Sequence, residues 1–425
     1  MKNIGIIAEF NPFHNGHSYL IEKARQITNA DNVIIVMSGN YVQRGEPAFM
    51  DKFTRTTVAL NNGADVVIEL PFCYAMSSAS YFATGAINML NQMGTIDYLC
   101  FGCETDDIHL LNVIADIIIK EDDCYSNALQ SYLKTGMSFV QSREKAIIKS
   151  IAMRGMTVDA DYLSSIISSP NSILAIEYII ALKKTDSDII PVPIMRCDSG
   201  YHSSNMSSGY ASAGAIRKFY TGKSVYNFNN IRESLKEVLP VSSVELLEKE
   251  YHKSYPVLTD DYSGLIGNSL INARYNLLDM EEIFDMTEDL SNRIKNMSVT
   301  YTSADNFINI CNSKTFTSSR IARILFYSIF NYTKDDYLRF KKDEYVYYFR
   351  ILGFRKDCET ILTDIKNNTS IPIITKLNNA LSMLSENGRR MLELNMYADE
   401  IYRMIVMTKY GSTIPNEQQH GIVII

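Results

Sequence analysis

The chain has 425 residues, of which 46% are hydrophobic and 21% charged, and its formal net charge is −7. This composition predicts a globular protein with a sizeable core, divided into about two domains. The negative net charge argues against general affinity for nucleic acid, although it does not exclude one local basic face. No apolar run reaches the roughly 18 residues of a membrane helix, so we expect no membrane span. The first strand leaves no room for a signal peptide, and the seven cysteines form no disulfide framework, so we expect a cytoplasmic location.

Apolar strand patterns alternate with helical patterns through the first half of the chain. Strands are predicted at residues 4–8, 32–38, 65–71, 96–101 and 189–195, and helices at 18–28, 51–60, 78–93, 107–120, 126–133, 138–152 and 171–184. This alternation predicts an α/β fold with a Rossmann-like parallel sheet, whose ligand lies at the carboxyl ends of the strands. The prolines of the fifth strand predict an edge position. Residues from about 107 to 165 read as a helical insertion.

The turn after the first strand contains two histidines three residues apart, His14 and His17, separated by Asn15 and Gly16. A strand that enters a helix through a tight turn directs backbone N–H groups and the positive end of the helix dipole at one point, which suits a phosphate. Gly16 lets the backbone approach a ligand closely. Two alternatives are a pair of capping or surface histidines and a metal site, but no nearby cysteine or acidic residue completes a metal site.

A second phosphate-binding pattern follows later. The helix that starts at Ser212 has small residues at its beginning and Arg217 one turn in, which places backbone N–H groups and a guanidinium beside a phosphate chain. Lys52 and Arg55 lie three residues apart on an earlier helix, where they either add charge near the phosphates or belong to the surface.

Three patterns after the fourth strand have competing interpretations. Cys100 and Cys103 have redox or zinc spacing, but without a second pair we expect them to be buried. Glu104 and Asp106 are candidates for placing magnesium. Asn171 follows a proline at a helix start, where an N-cap is the ordinary role.

From residue 231 to about 403 the patterns are helical, with few strong strands. We therefore predict a catalytic domain at 1–222 and a mainly α-helical C-terminal domain at 223–425. Basic and aromatic residues are interleaved in this second half: Arg320, Arg323, Arg339, Lys341, Lys342, Arg350, Arg355 and Lys356 with Phe340, Tyr347, Tyr348 and Phe349. This pattern is typical of RNA binding, with Arg320, Arg323, Lys341 and Lys342 as the predicted contacts, or else of a helical core with a solvated charged face.

The string IAEFNPFHNGH, which begins at Ile7, resembles the histidine-x-glycine-histidine signature of the nucleotidyltransferase superfamily and, more narrowly, that of the bacterial tRNA(Met) cytidine acetate ligases. VQRGEPAF, VIELP, CFGCE, the Pro170-Asn171 segment, Arg196 with GYH and the helix ending in Arg217 follow in order, so the resemblance covers most of the chain. It implies activation of acetate with ATP, giving acetyladenylate and pyrophosphate, and acetylation of N4 of the wobble cytidine of elongator tRNA(Met), forming N4-acetylcytidine.

The resemblance also implies an ATP-binding set. Its members are Ile7, Ala8, Glu9, Phe10, Asn11, Pro12, Phe13, His14, Asn15, Gly16, His17, Ser18, Tyr19, Leu20, Gly102, Asn171, Arg196, Cys197, Ser212 and Arg217. We predict that His14 and His17 donate hydrogen bonds to the α-phosphate and that Arg217 holds the departing phosphates, with Mg²⁺ bridging phosphates rather than held by a protein cage. Ala213 and Gly214 depart from the hydroxyl residues that the superfamily prefers, so a side-chain contact is lost at Gly214.

Two other functions fit parts of the sequence. A small-molecule nucleotidyltransferase that makes a nucleotide cofactor would share the first half but would not require the long helical second half. A non-catalytic nucleotide- or RNA-binding module would tolerate His17→Ala without any change in RNA binding or turnover.

Overall fold

The computed structural model describes residues 1–196, 211–221, 228–342 and 345–425. Its strands are β1 (Asn3–Ala8), β2 (Asn32–Ser38), β3 (Tyr41–Val42), β4 (Glu46–Pro47), β5 (Val66–Leu70), β6 (Tyr98–Cys103), β7 (Ile190–Met195), β8 (Phe349–Phe354), β9 (Ile373–Ile374) and β10 (Val423–Ile424).

Helices make up most of the remaining regular structure. They are α1 (Asn15–Thr28), α2 (Lys52–Asn61), α3 (Phe72–Ala75), α4 (Ala79–Gln92), α5 (Ile108–Lys120), α6 (Asp123–Lys134), α7 (Phe139–Met153), α8 (Ala160–Ser168), α9 (Pro170–Lys184), α10 (Ala213–Thr221), α11 (Asn229–Lys236), α12 (Val241–Glu250), α13 (Ser263–Arg274), α14 (Glu288–Met297), α15 (Ala304–Cys311), α16 (Ser318–Phe330), α17 (Lys334–Phe340), α18 (Glu359–Asn368) and α19 (Glu386–Tyr410). Short 3-10 turns join several of them.

One mixed sheet has the order β10-β8-β5-β2-β1-β6-β7, with β9 also paired to β8. Strands β5, β2, β1, β6 and β7 run parallel, with Ile6 opposite Ile35 and Val36 opposite Ile68. Strand β8 pairs antiparallel with β5. The predicted α/β fold with a parallel sheet is confirmed, and β7 lies at an edge of the described sheet, as its prolines indicated.

The alternation of side chains along β2 separates the two faces of the sheet. Ile34 and Val36 belong to a core shared with α4, α5, α9 and the helices of the second half, whereas Val33 and Ile35 belong to a core shared with α1 and α2. Because β2 is buried along its whole length, its apolar residues are continuous rather than alternating with polar ones, as expected for a parallel strand covered on both faces.

Strand β8 was missed by the sequence patterns. Phe349 and Arg350 belong to the segment predicted either to bind RNA or to combine an aromatic core with a solvated charged face, and both are buried in β8, beside β5. The core alternative therefore holds for Phe349, whereas neither alternative predicts a buried Arg350. Gly353 allows β10 to approach, because a Cβ added there would lie 2.7 Å from the Val423 carbonyl oxygen. The division at 222/223 stays a prediction, and the sheet contains strands from both sides of it.

Cys100 and Cys103 are buried in β6 with free thiols, as expected. In the described ranges, no single helix is long and apolar enough to cross a membrane, and α8 and α9 reach that length only as a pair bent by 79°.

Candidate active site

A cavity of about 840 Å³ opens at the carboxyl ends of β1, β6 and β7, between the first turns of α1 and α10. This size suits a small-molecule ligand, and the position matches the ligand crevice of parallel sheets. The structure brings most of the predicted ATP-binding set to its walls: Ile7, Ala8, Glu9, Phe10, Asn11, His14, Gly16, His17, Tyr19, Leu20, Gly102, Asn171, Arg196, Ser212 and Arg217.

The remaining predicted residues that the structure describes do not line the cavity. Phe13 lies beneath it, with its ring centroid 5.4 Å from that of His17, and Pro12 is buried beside it. The Asn15 side chain donates a hydrogen bond to the Glu237 carbonyl oxygen, so it fastens the turn to the end of α11. Ser18 belongs to the first turn of α1, and Cys197 lies outside the described residues.

The two histidines cap α1 and also face the cavity. His14 Nδ1 accepts a hydrogen bond from Gly16 N at 3.1 Å, and His17 Nδ1 accepts one from His14 N at 3.1 Å. Their rings stack with centroids 3.7 Å apart. Because each Nδ1 is an acceptor, the proton of each neutral ring lies on Nε2. The two histidines therefore do cap the helix, as the capping alternative predicts. The cap uses Nδ1 of each ring and leaves Nε2 directed by the ring orientation that the cap fixes.

Electrostatics keep His17 neutral near pH 7. Burial lowers its pKa well below the usual value, and the neighbouring His14 and Arg196 lower it further. Burial also raises the pKa of Glu9, although the Gln43 N–H, which donates to Glu9 Oε1 at 2.8 Å, and Arg217 act in the opposite direction. The site therefore offers neutral imidazole donors beside cationic guanidinium groups, a combination that binds phosphate oxygens.

Arg217 reaches the first turn from α10. Its Nη1 donates to the Asn11 carbonyl oxygen at 2.7 Å, and its Nη2 lies 3.3 Å from a carboxylate oxygen of Glu46. Ser212 accepts a hydrogen bond from Ala215 N at 3.2 Å and so caps the helix. The structure thus places both predicted phosphate-binding helix starts at one cavity.

Ala213 and Gly214 line the cavity at the start of α10. The nearest atom to a Cβ added at Gly214 is Ser212 Oγ, at 4.0 Å. A larger residue would fit at this position, and the glycine exposes backbone at the cavity wall.

Asn171 contacts Glu104 across the cavity edge. Its Nδ2 donates to one Glu104 oxygen at 2.8 Å, and Ser172 donates to the other through its N at 3.1 Å and its Oγ at 2.6 Å. The N-cap interpretation of Asn171 is wrong, because Ser169 occupies that position. Burial raises the pKa of Glu104, but the hydrogen bonds from Asn171 and Ser172 outweigh it and the net pKa is lowered.

No group of three His, Cys, Asp or Glu side chains suited to a metal ion occurs within the described ranges. Glu104 and Asp106 accordingly form no such cluster, and the Glu104 carboxylate is already held by Asn171 and Ser172.

Lys52 and Arg55 lie neither in the cavity nor at the surface, so both interpretations of them are wrong. Arg55 is 1% exposed and donates to the carbonyl oxygens of Met50 at 3.0 Å, Glu9 at 2.7 Å, Ser38 at 2.9 Å and Gly39. The carbonyls of Glu9, Ser38 and Gly39 lie at the ends of β1 and β2, so one guanidinium holds the loops beside the cavity. The apolar neighbours of Arg55 along α2 were the available signal of burial.

Several cavity residues were not predicted. They include Gln43, Arg44 and Glu46 from the segment after β3, Phe82 from α4, Tyr178 from α9, Lys218 from α10 and Ser319 from α16. The polar, glycine- and proline-containing loop at 43–47 was recognisable as non-core sequence. The contributions of α4 and α16 depend on packing between distant segments and leave no local pattern.

The predicted RNA-binding residues are divided between core and surface. Arg323 is 8% exposed, donates to the Gln43 carbonyl oxygen at 3.4 Å and lies 4.0 Å from Asp285. Arg320 lies 3.1 Å from the same carboxylate. Lys341 and Lys342 are exposed. For the interleaved aromatics the core alternative is correct, since Phe340, Tyr347, Tyr348 and Phe349 are buried.

Comparison with known proteins gives consistent matches along the chain. The model of the HIGH nucleotidyl transferase family matches residues 1–417. The tRNA(Met) cytidine acetate ligase of Acetivibrio thermocellus is 37% identical over 408 residues, with 95% of each chain covered. That of Clostridium perfringens is 39% identical over 407 residues, covering 95% of this chain and 96% of the relative.

Solved structures agree with these matches. The crystal structure of Thermotoga maritima TmcAL bound with alpha-thio ATP superposes with a TM-score of 0.87 at 30% identity, with 100% of each chain covered. Its apo form gives a TM-score of 0.86 at 31% identity, with 99% of this chain and 97% of the other covered.

Proposed function

Since the chain belongs to the tRNA(Met) cytidine acetate ligase family, we propose that it uses ATP to join acetate to N4 of the wobble cytidine of elongator tRNA(Met). The observation that supports this most directly is the convergence of His14, His17 and Arg217 on one cavity at the carboxyl edge of the sheet. The product is N4-acetylcytidine, with AMP and pyrophosphate released.

In the first step, a carboxylate oxygen of acetate attacks the α-phosphorus of ATP. The bond between the α-phosphorus and the bridging oxygen breaks, giving acetyladenylate and pyrophosphate. We assign the Nε2 donors of His14 and His17 to the non-bridging α-phosphate oxygens, where negative charge grows in the transition state. Their Nδ1 caps hold both rings in place before ATP arrives, so little reorganisation is needed at the moment of reaction.

Arg217 is assigned to the departing pyrophosphate. Its guanidinium is positioned by the Asn11 carbonyl and has a carboxylate neighbour in Glu46. A bidentate guanidinium matches phosphate geometry, and its charge offsets the charge that builds on the leaving group.

In the second step, N4 of the cytidine attacks the acetyl carbonyl carbon. The carbon–oxygen bond to AMP breaks, N4 releases a proton to water, and AMP leaves. A neutral His17 is compatible with this step because it keeps its Nε2 hydrogen bond to the phosphate while AMP carries the charge away.

Magnesium is proposed as the cofactor. Mg²⁺ typically takes one or two carboxylates together with substrate phosphates, and Glu9 and Glu46 are carboxylates at the cavity wall. When bound, the ion would supply further neutralisation of phosphate charge.

The test supplies ATP and labelled acetate, with and without elongator tRNA(Met). We expect acetate-dependent release of pyrophosphate and label in the wobble cytidine. Transfer of AMP to a small metabolite with no label in RNA would instead support a cofactor-forming nucleotidyltransferase. RNA binding without any turnover would support a non-catalytic module.

A further inference from the structure

A second cavity, of about 680 Å³, lies between α4, the end of α9 and the segment around α17. Its α4 wall is a polar stripe of Ser80, Thr84, Asn88 and Asn91. Residues at this spacing share one helix face, so the stripe runs along nearly the whole length of α4. No part of the activity described above uses this cavity.

Both charged residues that the structure describes at this cavity are lysines. Lys184 and Lys341 line it, and no aspartate or glutamate is among its described lining residues, a set that leaves out residues 343–344. Both lysines are exposed, and neither forms an ion pair within the described part of the chain, whereas the adjacent Lys183 pairs with Asp116 at 2.9 Å. In a protein of net charge −7, two such lysines over hydroxyl and amide groups form a local site for an anion.

Aromatic side chains complete the opposite wall. Tyr337 and Tyr345 line the cavity and are partly exposed, unlike the buried rings of the neighbouring strand. Lys341 Nζ lies 5.2 Å from the centroid of the Tyr337 ring. Amide donors, ammonium groups and tyrosine faces together suit a phosphate, a base edge and a stacked base or ribose.

The same two helices line both cavities. Ala79 and Phe82 of α4 face the ATP cavity, and Leu174 of α9 faces it ten residues before Lys184. Ten helical residues span roughly 15 Å, which is more than one nucleotide covers and is within the reach of a short stretch of polynucleotide. This separation favours a polymer over a single small ligand.

We propose that this second cavity binds a phosphate-bearing nucleotide of the RNA substrate, away from the cytidine that is acetylated. Lys184 and Lys341 contact its phosphates, and Asn91 contacts its polar edge. The inference rests on the proposed function for the identity of the RNA. A free nucleotide carries the same phosphate and base groups as one nucleotide of an RNA. The experiment must therefore distinguish binding of RNA from binding of a free nucleotide.

The experiment measures the affinity of the full-length protein for elongator tRNA(Met) across a salt series. Lys184→Glu and Lys341→Glu are each expected to raise Kd by about tenfold and to reduce the slope of log K against log salt by about one. Asn91→Asp adds a carboxylate to the wall with little change in shape and is expected to weaken binding as well. The matched control is Lys183→Glu, which has the same charge change one residue away and should leave Kd within about twofold.

Three results would overturn the inference. One is wild-type affinity and salt slope in Lys184→Glu, Lys341→Glu and Asn91→Asp. Another is an equal loss in Lys183→Glu, which would indicate a general charge effect. The third is a second equivalent of ATP that wild type binds and Lys184→Glu does not, with unchanged tRNA affinity. Because tRNA binding is measured directly, failure of acetate activation in wild type would refute the proposed function separately.

Discussion

His17 combines two tasks in a single imidazole. Its Nδ1 accepts the His14 N–H at the start of α1, and its ring packs edge-on to Phe10 with centroids 4.9 Å apart. These contacts fix both the ring plane and the tautomer, so Nε2–H is the donor that remains for a phosphate. The local structure and the proposed chemistry therefore depend on opposite sides of one ring and can be separated by substitution.

His17→Asn is designed for that separation. The asparagine amide oxygen can still accept the His14 N–H, but no donor reaches the position of Nε2. We expect acetate-dependent pyrophosphate release to fall by at least about tenfold, with the melting temperature nearly unchanged. His109→Asn, on the exposed face of α5, is the control and should keep full activity. Wild-type turnover in His17→Asn would remove this residue from the catalytic set.

Acid should destabilise the wild type through the same residue. Since the folded pKa of His17 is lowered while the unfolded pKa stays near 6.5, the unfolded chain takes up the proton first as the pH falls. Stability should therefore be lost below about pH 6.5, by up to about 1.4 kcal/mol per pH unit, until the folded pKa is reached. His17→Gln should lack this loss. Urea unfolding of both proteins at pH 7.5 and 5.5 measures it, and parallel pH profiles would contradict it.

At the scale of elements, α2 explains how the strand ends are kept in place. Asp51 caps the helix through hydrogen bonds from Phe53 N and Thr54 N, both at 2.9 Å. One turn later the Arg55 guanidinium donates hydrogen bonds to the carbonyl oxygens of Glu9 and Ser38, at the ends of β1 and β2. A helix that begins beside two strand ends thus supplies donors where the sheet has stopped pairing.

Arg55→Lys tests this arrangement. An ammonium group cannot reproduce the planar fork of donors, so buried carbonyl oxygens would lose their partners. We expect a loss of unfolding free energy on the order of 3 kcal/mol, together with weaker ATP binding. Arg154→Lys, at an exposed ion pair with Asp122, should change stability by less than about 0.5 kcal/mol. A similar, small change in both variants would show that the fork is dispensable.

Local patterns predicted elements that contain their own apolar run and are bounded by turn residues. The strands of the parallel sheet and the helix starts at His14 and Ser212 depend on apolar runs and turn residues that are visible in a short window. Strand β8 was missed because its partner β5 lies about 280 residues away and its Arg350 indicated a surface. Arg55 was missed for a different reason: its acceptors are backbone carbonyl oxygens, which have no signature in the sequence, so only the apolar residues along α2 indicated its burial.

At the scale of the whole molecule, a buried group of charges joins distant segments. Lys52 lies 2.8 Å from Glu69, 2.7 Å from Asp399 and 3.1 Å from Glu417, and the guanidinium of Arg350 lies 3.8 Å from Glu417. These residues come from α2, β5, α19, β8 and the segment before β10. Burial raises the pKa of Asp399 well above its usual value; Lys52 opposes the shift, and Glu417 and Glu69 add to it.

Lys52→Met should lower the free energy of unfolding far more than the loss of one carboxylate charge does. It leaves three carboxylates around a site with no ammonium, and we expect a loss of about 3–5 kcal/mol in unfolding free energy. Glu417→Gln keeps the shape and removes one of three negative charges from a group with two cations, so we expect a change within about 1 kcal/mol. Equal losses in the two variants, measured by urea unfolding, would show that charge balance does not govern this group.

The pairing of β10 with β8 has a consequence for how the protein is made. Residues 417–424 supply both the third carboxylate around Lys52 and a strand at the edge of the sheet. During synthesis these residues leave the ribosome long after the turn that carries His14 and His17. A growing or prematurely stopped chain therefore lacks the contacts that complete its sheet. We therefore expect a chain that stops before residue 417 to be less stable and more readily cleaved by proteases than the full chain.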